Sequence, residues 1–315
     1  MTLEWFVKNT AVVLGLILSL IIGPDDCSGF YQPEYQNRGI TNFLDAAVPG
    51  PGFYYATYLF NFESHDLRVK SESAPGDFEI SSTVSMHQFV YISKKKVLGG
   101  YCGGEIIQPF ITAHLDNNGA REDDQGLGDT FFAVFLQSDE KKISAGNLSL
   151  PLYWRFLVGM WGPTGEYDHE KSLNVGNNLY TFESYLSTTI FPLPKWSVSS
   201  RLMYHVHTEN HNFGPEKDDL RPGDLFNVNV ASSYEIIPGV RAGGVMTYWN
   251  QTSDDEINGS DIRGRERALS FGPGAVITRF LEKWNACLMV DALFDTHVRN
   301  RPEGAIYQAR LIVAF

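Results

Sequence analysis

Past residue 22 the chain contains no apolar run of the roughly 18 residues that a helix needs to cross a bilayer, so it is not a helical membrane protein. Cysteine is scarce: Cys27, Cys102 and Cys287 are the three, none in a Cys-x-x-Cys spacing, and they form neither a zinc site nor a disulfide framework. Basic charge is outweighed, 25 Lys and Arg against 37 Asp and Glu, for a net charge of −12. No basic face is left to neutralise phosphates, which excludes nucleic acid as a partner. There is no phosphate-binding glycine loop, no Ser–His–Asp order and no paired-cysteine motif, so nothing points to an enzyme or to a bound cofactor or metal. Amphipathic helical periodicity is also absent.

What the chain does have is alternation. Residues 226–236, FNVNVASSYEI, place Phe226, Val228, Val230, Tyr234 and Ile236 opposite Asn227, Asn229, Ala231, Ser233 and Glu235. Residues 196–207 set Trp196, Val198, Leu202, Tyr204 and Val206 against Ser197, Ser199, Arg201, Met203, His205 and His207. Side chains of a strand point alternately to its two faces, so each run has one apolar and one polar face. Twelve such runs are predicted, near 52–62, 83–93, 104–115, 127–137, 149–161, 178–191, 196–207, 224–236, 239–250, 267–280, 285–297 and 304–315. Most are about 10 residues or a little longer, the length of a tilted membrane-spanning strand and longer than an ordinary strand of about 5–6.

The connections give a second signal. If both ends of the barrel lie on the periplasmic side, the outer loops are 63–82, 116–126, 162–177, 208–223, 251–266 and 298–303, nearly all long and rich in Asp, Glu, Asn and Gly. The inner turns are mostly short, such as PLPK and Pro238-Gly239. This long-and-short alternation belongs to an outer-membrane barrel, not to a soluble sandwich. The expected fold is therefore all-β: a transmembrane antiparallel up-and-down β-barrel of about twelve strands at 52–315. Ahead of it, residues 10–22, TAVVLGLILSLII, are too short to span and read as the core of a cleaved signal peptide covering 1–29. Residues 30–51 then form a periplasmic or plug-like segment. The localisation that follows is the outer membrane of a Gram-negative bacterium, with outer-membrane lipid and lipopolysaccharide as surroundings.

Residues 39–62, GITNFLDAAVPGPGFYYATYLFNF, resemble the opening of the outer-membrane proteins of the MetA-pathway of phenol degradation family, through Pro49, Pro51, Gly52, Phe53 and Tyr54. GPTGEYD (162–168), NVGNNLYTFE (174–183), RPGDLFNVNV (221–230) and the closing YQARLIVAF fit as well. The resemblance implies a barrel that passes small hydrophobic or aromatic compounds by passive diffusion. The last strand also approximates the signal read by the barrel-assembly machinery, through Gln308, Val313 and a terminal Phe315; Arg310 stands where Gly is usual.

On the assigned strands Arg155, Arg201, Arg241, Arg310, Glu183, Glu235 and Asp291 take the inward parity. Glu235 and Arg241 are expected to pair beside the Pro238-Gly239 turn, and Arg310 to approach Asp291. Two readings stay open for this set: a charged ladder that sets pore polarity, or ion-paired filling of a narrow lumen. Tyr153, Trp161, Tyr185 and Trp249 share the same parity and would line a solute path beside the cations. His205, His207 and His211 read as polar rim residues, since no third metal ligand is fixed at a usable spacing. The loop DDEINGSDIRGR (254–265) imitates a calcium loop but has Arg265 at the closing carboxylate position. Besides the channel, two alternatives remain: a structural or surface-interaction barrel without an open pore, and a lipid-acting enzyme built on Ser200, Ser270 or His205.

Overall fold

The computed structural model describes Gln36, Arg38, Gly39, residues 43–47, and residues 50–315 apart from 146, 147, 263 and 280. The expected signal at 1–29, Cys27 included, lies outside the described residues. Twelve antiparallel strands close into one barrel. The first six are β1 (Gly52–Val69), β2 (Phe78–Val97), β3 (Gly100–Asn117), β4 (Thr130–Gln137), β5 (Leu148–Gly162) and β6 (Thr181–Leu193). The others are β7 (Trp196–His207), β8 (Leu225–Ile237), β9 (Val240–Gln251), β10 (Arg267–Ile277), β11 (Ala286–Arg299) and β12 (Arg301–Ala314). Each strand pairs with the next in sequence, and β12 returns to β1 with Tyr54 opposite Ala314 and Phe62 opposite Ile306. Closure leaves no unpaired edge, which a sheet in hydrocarbon requires. Both ends of the barrel sequence fall on one rim.

All twelve runs read from the alternation coincide with these strands. The outer ends run further than expected: β1 continues to Val69, where Ser64, Asp66 and Arg68 follow Phe62 on one face, and β2 begins at Phe78, with Phe78 and Ile80 alternating with Glu79 and Ser81. Above the bilayer a strand needs no apolar face, so the pairing of β1 carries on without one. The expected outer loop at 116–126 likewise holds a strand, Ala120–Leu127, paired with the upper half of β3 while β4 takes the lower half. At the break between them sits Asp129, whose carboxylate accepts Gly165 N–H and Asn177 N–H, both at 2.9 Å. It ties the 163–177 loop down over the barrel mouth. The two loops at 208–223 and 251–266 contribute Asn210–Phe213, Asp218–Arg221, Asp255–Ile257 and Ser260–Ile262 to a separate four-stranded sheet. In the calcium-like loop, Arg265 forks onto Asp254 at 3.0 and 3.1 Å, so a cation of the chain itself meets the carboxylate.

Outward positions form an apolar belt that includes Phe53, Tyr91, Phe132, Val134, Phe156, Val158, Phe182, Leu202 and Phe271. The inside is two-faced. The inner wall of β1 to β4 is apolar, built by Phe60, Phe62, Val84, Met86, Ile111, Phe131 and Phe135. From β6 to β9 the inward residues include Glu183, Ser187, Ser199, Arg201, His205, Asn227, Asn229 and Thr247, all buried. A water-filled porin is polar all round its lumen; here the inward face of β1 to β4 is mostly apolar, with Gln88, Glu105 and Gln137 as its buried polar exceptions, and most polar side chains come from β5 to β12.

Candidate functional site

The lumen is the site, and its charged side chains come from strands far apart in sequence. Arg201, on the inner face of β7, donates from Nε to Asp45 Oδ2 at 2.8 Å and from Nη2 to Oδ1 at 2.6 Å. Its guanidinium also lies over the Tyr185 ring at 3.8 Å, and the two side chains of the ion pair are only 5 % and 4 % exposed. Arg38 reaches the opposite wall, donating to Ser270 Oγ at 2.9 Å and pairing with Asp295. Gly39 O accepts from Gln308 Nε2, and Ala46 N–H donates to Thr189 Oγ1 at 3.1 Å. Phe43 joins the apolar cluster of the inner wall. It presses so close to β10 that a Cβ on Gly274 would lie 2.5 Å from its ring, which explains glycine there. The described residues of 36–47 thus contact β6, β7, β10, β11 and β12 from within the barrel.

Arg155 donates to Gln137 Oε1 at 2.6 Å, stands 3.6 Å from Glu105 Oε2 and stacks on Phe135 at 4.2 Å. Arg301 pairs with Glu266 at 2.9 Å, fully buried, and lies 5.2 Å from the Trp249 ring. Pairs of this kind cost desolvation on both partners, and removing one partner strands the other, at about 3–5 kcal/mol.

Near the outer mouth Glu183 accepts Trp161 Nε1–H at 3.1 Å, and His205 Nε2 stands 3.3 Å from the same oxygen. His207 Nδ1 bonds Thr181 Oγ1 at 2.9 Å. Among the described residues, His205 Nδ1, His207 Nε2, both polar atoms of Asn227, Thr247 Oγ1 and Trp249 Nε1 have no hydrogen-bond partner. A buried donor or acceptor left unmet costs about 1–3 kcal/mol.

Several sequence expectations need correcting. Arg310 does not meet Asp291. The register sets Asp291 opposite Gln308, which donates to it at 2.6 Å, and places Arg310 opposite Met289, whose sulfur it contacts. Glu235 and Arg241 are cross-strand partners yet form no ion pair. Arg241 turns to Ser233 Oγ at 3.0 Å and Lys195 O at 2.9 Å, while Glu235 accepts Gly239 N–H at 3.1 Å and closes its own turn. Tyr153 has inward parity but sits low on the wall, donating to Glu140 Oε2 at 2.9 Å, whereas Trp161, Tyr185 and Trp249 are buried in the lumen. His205 and His207 lie at the outer end of β7, but alternation carries both inward and they are buried rather than exposed at the rim, while His211 stays exposed against Asp219 at 2.8 Å. Ser200 faces outward beside Thr188 at 2.9 Å, so Ser200 and His205 lie on opposite faces of the wall and do not form a catalytic pair. Phe315 is 83 % exposed just past β12, its N–H bonded to Phe53 O at 3.0 Å.

Sequence reasoning missed Asp45, Arg38, Glu105, Asp295, Glu266 and Arg301. Glu105 carried a legible signal, a lone charge of inward parity in the run GGEIIQPF. Missed too was the apolar inner wall, although β1 (FYYATYLFNF) and β4 (TFFAVFLQ) are apolar on both parities.

The fold is that of an outer-membrane channel. A crystal structure of an outer membrane channel from Pseudomonas putida F1 superposes with a TM-score of 0.75 at 16 % identity, covering 91 % of this chain and all of that one. The translocator domain of the autotransporter NalP from Neisseria meningitidis gives 0.46 at 9 % identity over 86 % of this chain and 91 % of its own. A Pseudomonas aeruginosa FadL homologue gives 0.35 at 9 % over 89 % and 96 %. No protein of curated function matches the sequence. The family model for the MetA-pathway of phenol degradation matches residues 66–311, most of the barrel, and the chain belongs to that family.

Proposed function

We propose that the protein is a passive outer-membrane conduit of a Gram-negative bacterium, passing small hydrophobic or aromatic solutes. The observation that carries this reading is the two-faced lumen: an inner wall of Phe60, Phe62, Val84, Met86, Ile111, Phe131 and Phe135 facing a wall of paired arginines and carboxylates. An apolar wall offers a solute burial of about 25 cal/mol per Å² of apolar surface, and a purely ionic lumen offers none. Opposite it, guanidinium and aromatic faces hold planar solutes through contacts of about 0.5–2 kcal/mol each, weak enough for release. Family membership and the channel named for the Pseudomonas putida relative support the same conclusion. No step of this function requires a catalytic group, a cofactor or a metal.

In this reading the described residues of 36–47, held by Asp45 and Arg38, act as the closing element. The test is entry of benzene-like and alkane-like solutes into proteoliposomes. Flux above that of protein-free vesicles is the expected outcome. If neither solute flux nor ion conductance rises, the conduit is refuted and a structural barrel without a pore takes its place.

A further inference from the structure

The inner side of the barrel carries two lysine-rich hairpins. One is KKKVLGG (94–100), which closes β2 onto β3. The other follows β4 and pairs Lys141–Ala145 with 148–152 of β5. Asp139 ties the two together, accepting from Lys96 Nζ at 2.6 Å and from Lys141 Nζ at 2.5 Å. Residues 93–100 and 138–145 hold five lysines against two carboxylates, in a chain whose net charge is −12. Of those carboxylates Asp139 is shared by two lysines, and Glu140 accepts Tyr153 Oη–H at 2.9 Å. Lys94, Lys95 and Lys142 are exposed, and among the described residues no carboxylate pairs with them.

Apolar side chains stand among these cations. Val97 and Ile143 are exposed, and Leu98, at the hairpin tip, is 88 % exposed. Its φ is 51°, a left-handed conformation that glycine or asparagine adopts at less cost. A leucine held out from such a turn gains nothing in water. Trp154 sets the height of the tip. It shares the outward parity of Phe156 and Val158, and a Cβ on Gly100 would stand 3.3 Å from its ring. Outward indoles lie at the level of the lipid headgroups, so the end of the β2–β3 hairpin lies beside them.

We propose that the two hairpins form a foot that binds the headgroup of an anionic phospholipid in the inner leaflet. The proposal goes beyond the conduit reading and does not depend on it. Ammonium groups meet phosphate as compact point charges without a fixed geometry, which suits a fluid headgroup. Their stems lie along apolar surface while the charges reach out. Val97, Leu98 and Ile143 enter the adjoining acyl layer, and a basic patch combined with an apolar anchor is what holds a surface to anionic lipid. A zwitterionic headgroup brings its own ammonium beside the phosphate and gains less from the lysines. Lipopolysaccharide is not the occupant, because it lies in the opposite leaflet, beside loops of this chain that are rich in Asp and Glu.

The experiment uses the refolded full-length protein in phosphatidylcholine vesicles. They carry equal mole fractions of either dibrominated phosphatidylglycerol or dibrominated phosphatidylethanolamine. Bromine on an acyl chain quenches an indole at contact, and the difference between unaltered protein and Trp154→Phe isolates the Trp154 signal. The expected result is about tenfold stronger association of the phosphatidylglycerol beside Trp154 at low salt, falling to about twofold or less at about 0.5 M salt. Lys94→Gln, Lys95→Gln and Lys142→Gln combined should bring the ratio close to unity, while heat-modifiable gel mobility shows the barrel still folded. Lys217→Gln, in the outer loops, should leave the ratio unchanged. Equal quenching by the two lipids in the unaltered protein overturns the proposal without any lysine variant. A preference that survives the triple variant, or that high salt leaves intact, overturns it as well.

Discussion

Asp45→Ala should open the channel. Asp45 is the carboxylate that ties residues 43–47 to the barrel, through two bonds of 2.8 and 2.6 Å from Arg201. Charge-assisted hydrogen bonds are worth about 1.5–3 kcal/mol each, so the two-bond fork contributes about 3–6 kcal/mol in a buried setting where screening is slight. Part of that is recovered when Arg201 is rehydrated by water entering the lumen, leaving a net effect of about 3 kcal/mol. At 1.4 kcal/mol per decade this shifts the closed-to-open ratio by about 10²-fold. Arg38 still pairs with Asp295 and Phe43 still packs, so the shift is partial. Single-channel recording of refolded protein is the assay: open-state occupancy should rise by that factor until it saturates. Arg201→Ala should give a similar rise, and the double variant little more than either alone, because both remove the same interaction. Identical gating in Asp45→Ala and unaltered protein, with folding intact, refutes the reasoning.

Deleting Phe315 should sharply lower the amount of barrel in the outer membrane while leaving export unchanged, as read by fractionation and immunoblot; normal levels would show the terminal aromatic to be incidental to assembly. Gly274→Val should displace the Phe43 ring, which a Cβ there would meet at 2.5 Å, and raise basal conductance; the same Cβ would meet Asp291 Cβ at 2.7 Å and Val290 O at 2.9 Å, so the β10–β11 pairing is strained as well. On the periplasmic rim Lys141 and then Lys96 draw the Asp139 carboxyl down to about 2, through bonds of 2.5 and 2.6 Å. A depressed carboxylate stabilises above its unfolded value near pH 4 and loses that contribution as pH falls to about 2. Thermal unfolding of unaltered protein and Asp139→Asn, followed by heat-modifiable gel mobility, should therefore differ slightly at pH 5 and converge at pH 2. Arg155→Ala should change ion selectivity and cost about 3–5 kcal/mol of stability, because Glu105 is left buried without its cation; unchanged reversal potentials would place Arg155 outside the path.

The strand count and the facing of nearly every side chain were legible because alternation is local. Residues 226–236 announce β8 and its inward Asn227 and Asn229 with no reference to any other segment. The same rule turned His205 and His207 inward, and only their polarity suggested the rim. Loops were less legible: beyond the bilayer both faces of a strand meet water, so Ala120–Leu127 and the small sheet at 210–221 and 255–262 carry no hydropathy signature. The pairs were illegible for another reason. Parity says that Arg310 and Asp291 point inward; one step of register decides that Gln308 meets Asp291 and Arg310 meets Met289.

By itself, then, the sequence determined an outer-membrane type of barrel, its twelve strands and which residues face the lumen, since a period of two and the length of a bilayer-spanning strand are written into short windows. Tertiary structure alone decided what the lumen contains. Asp45 and Arg201 are 156 residues apart, Arg38 and Asp295 257 apart, and they meet because closure of β1 on β12 folds the segment before β1 against the inner wall. No local pattern encodes a partner at that distance. The division of the lumen into an apolar and a polar half has the same origin: β1 to β4 and β6 to β9 face each other only once the sheet has become a ring.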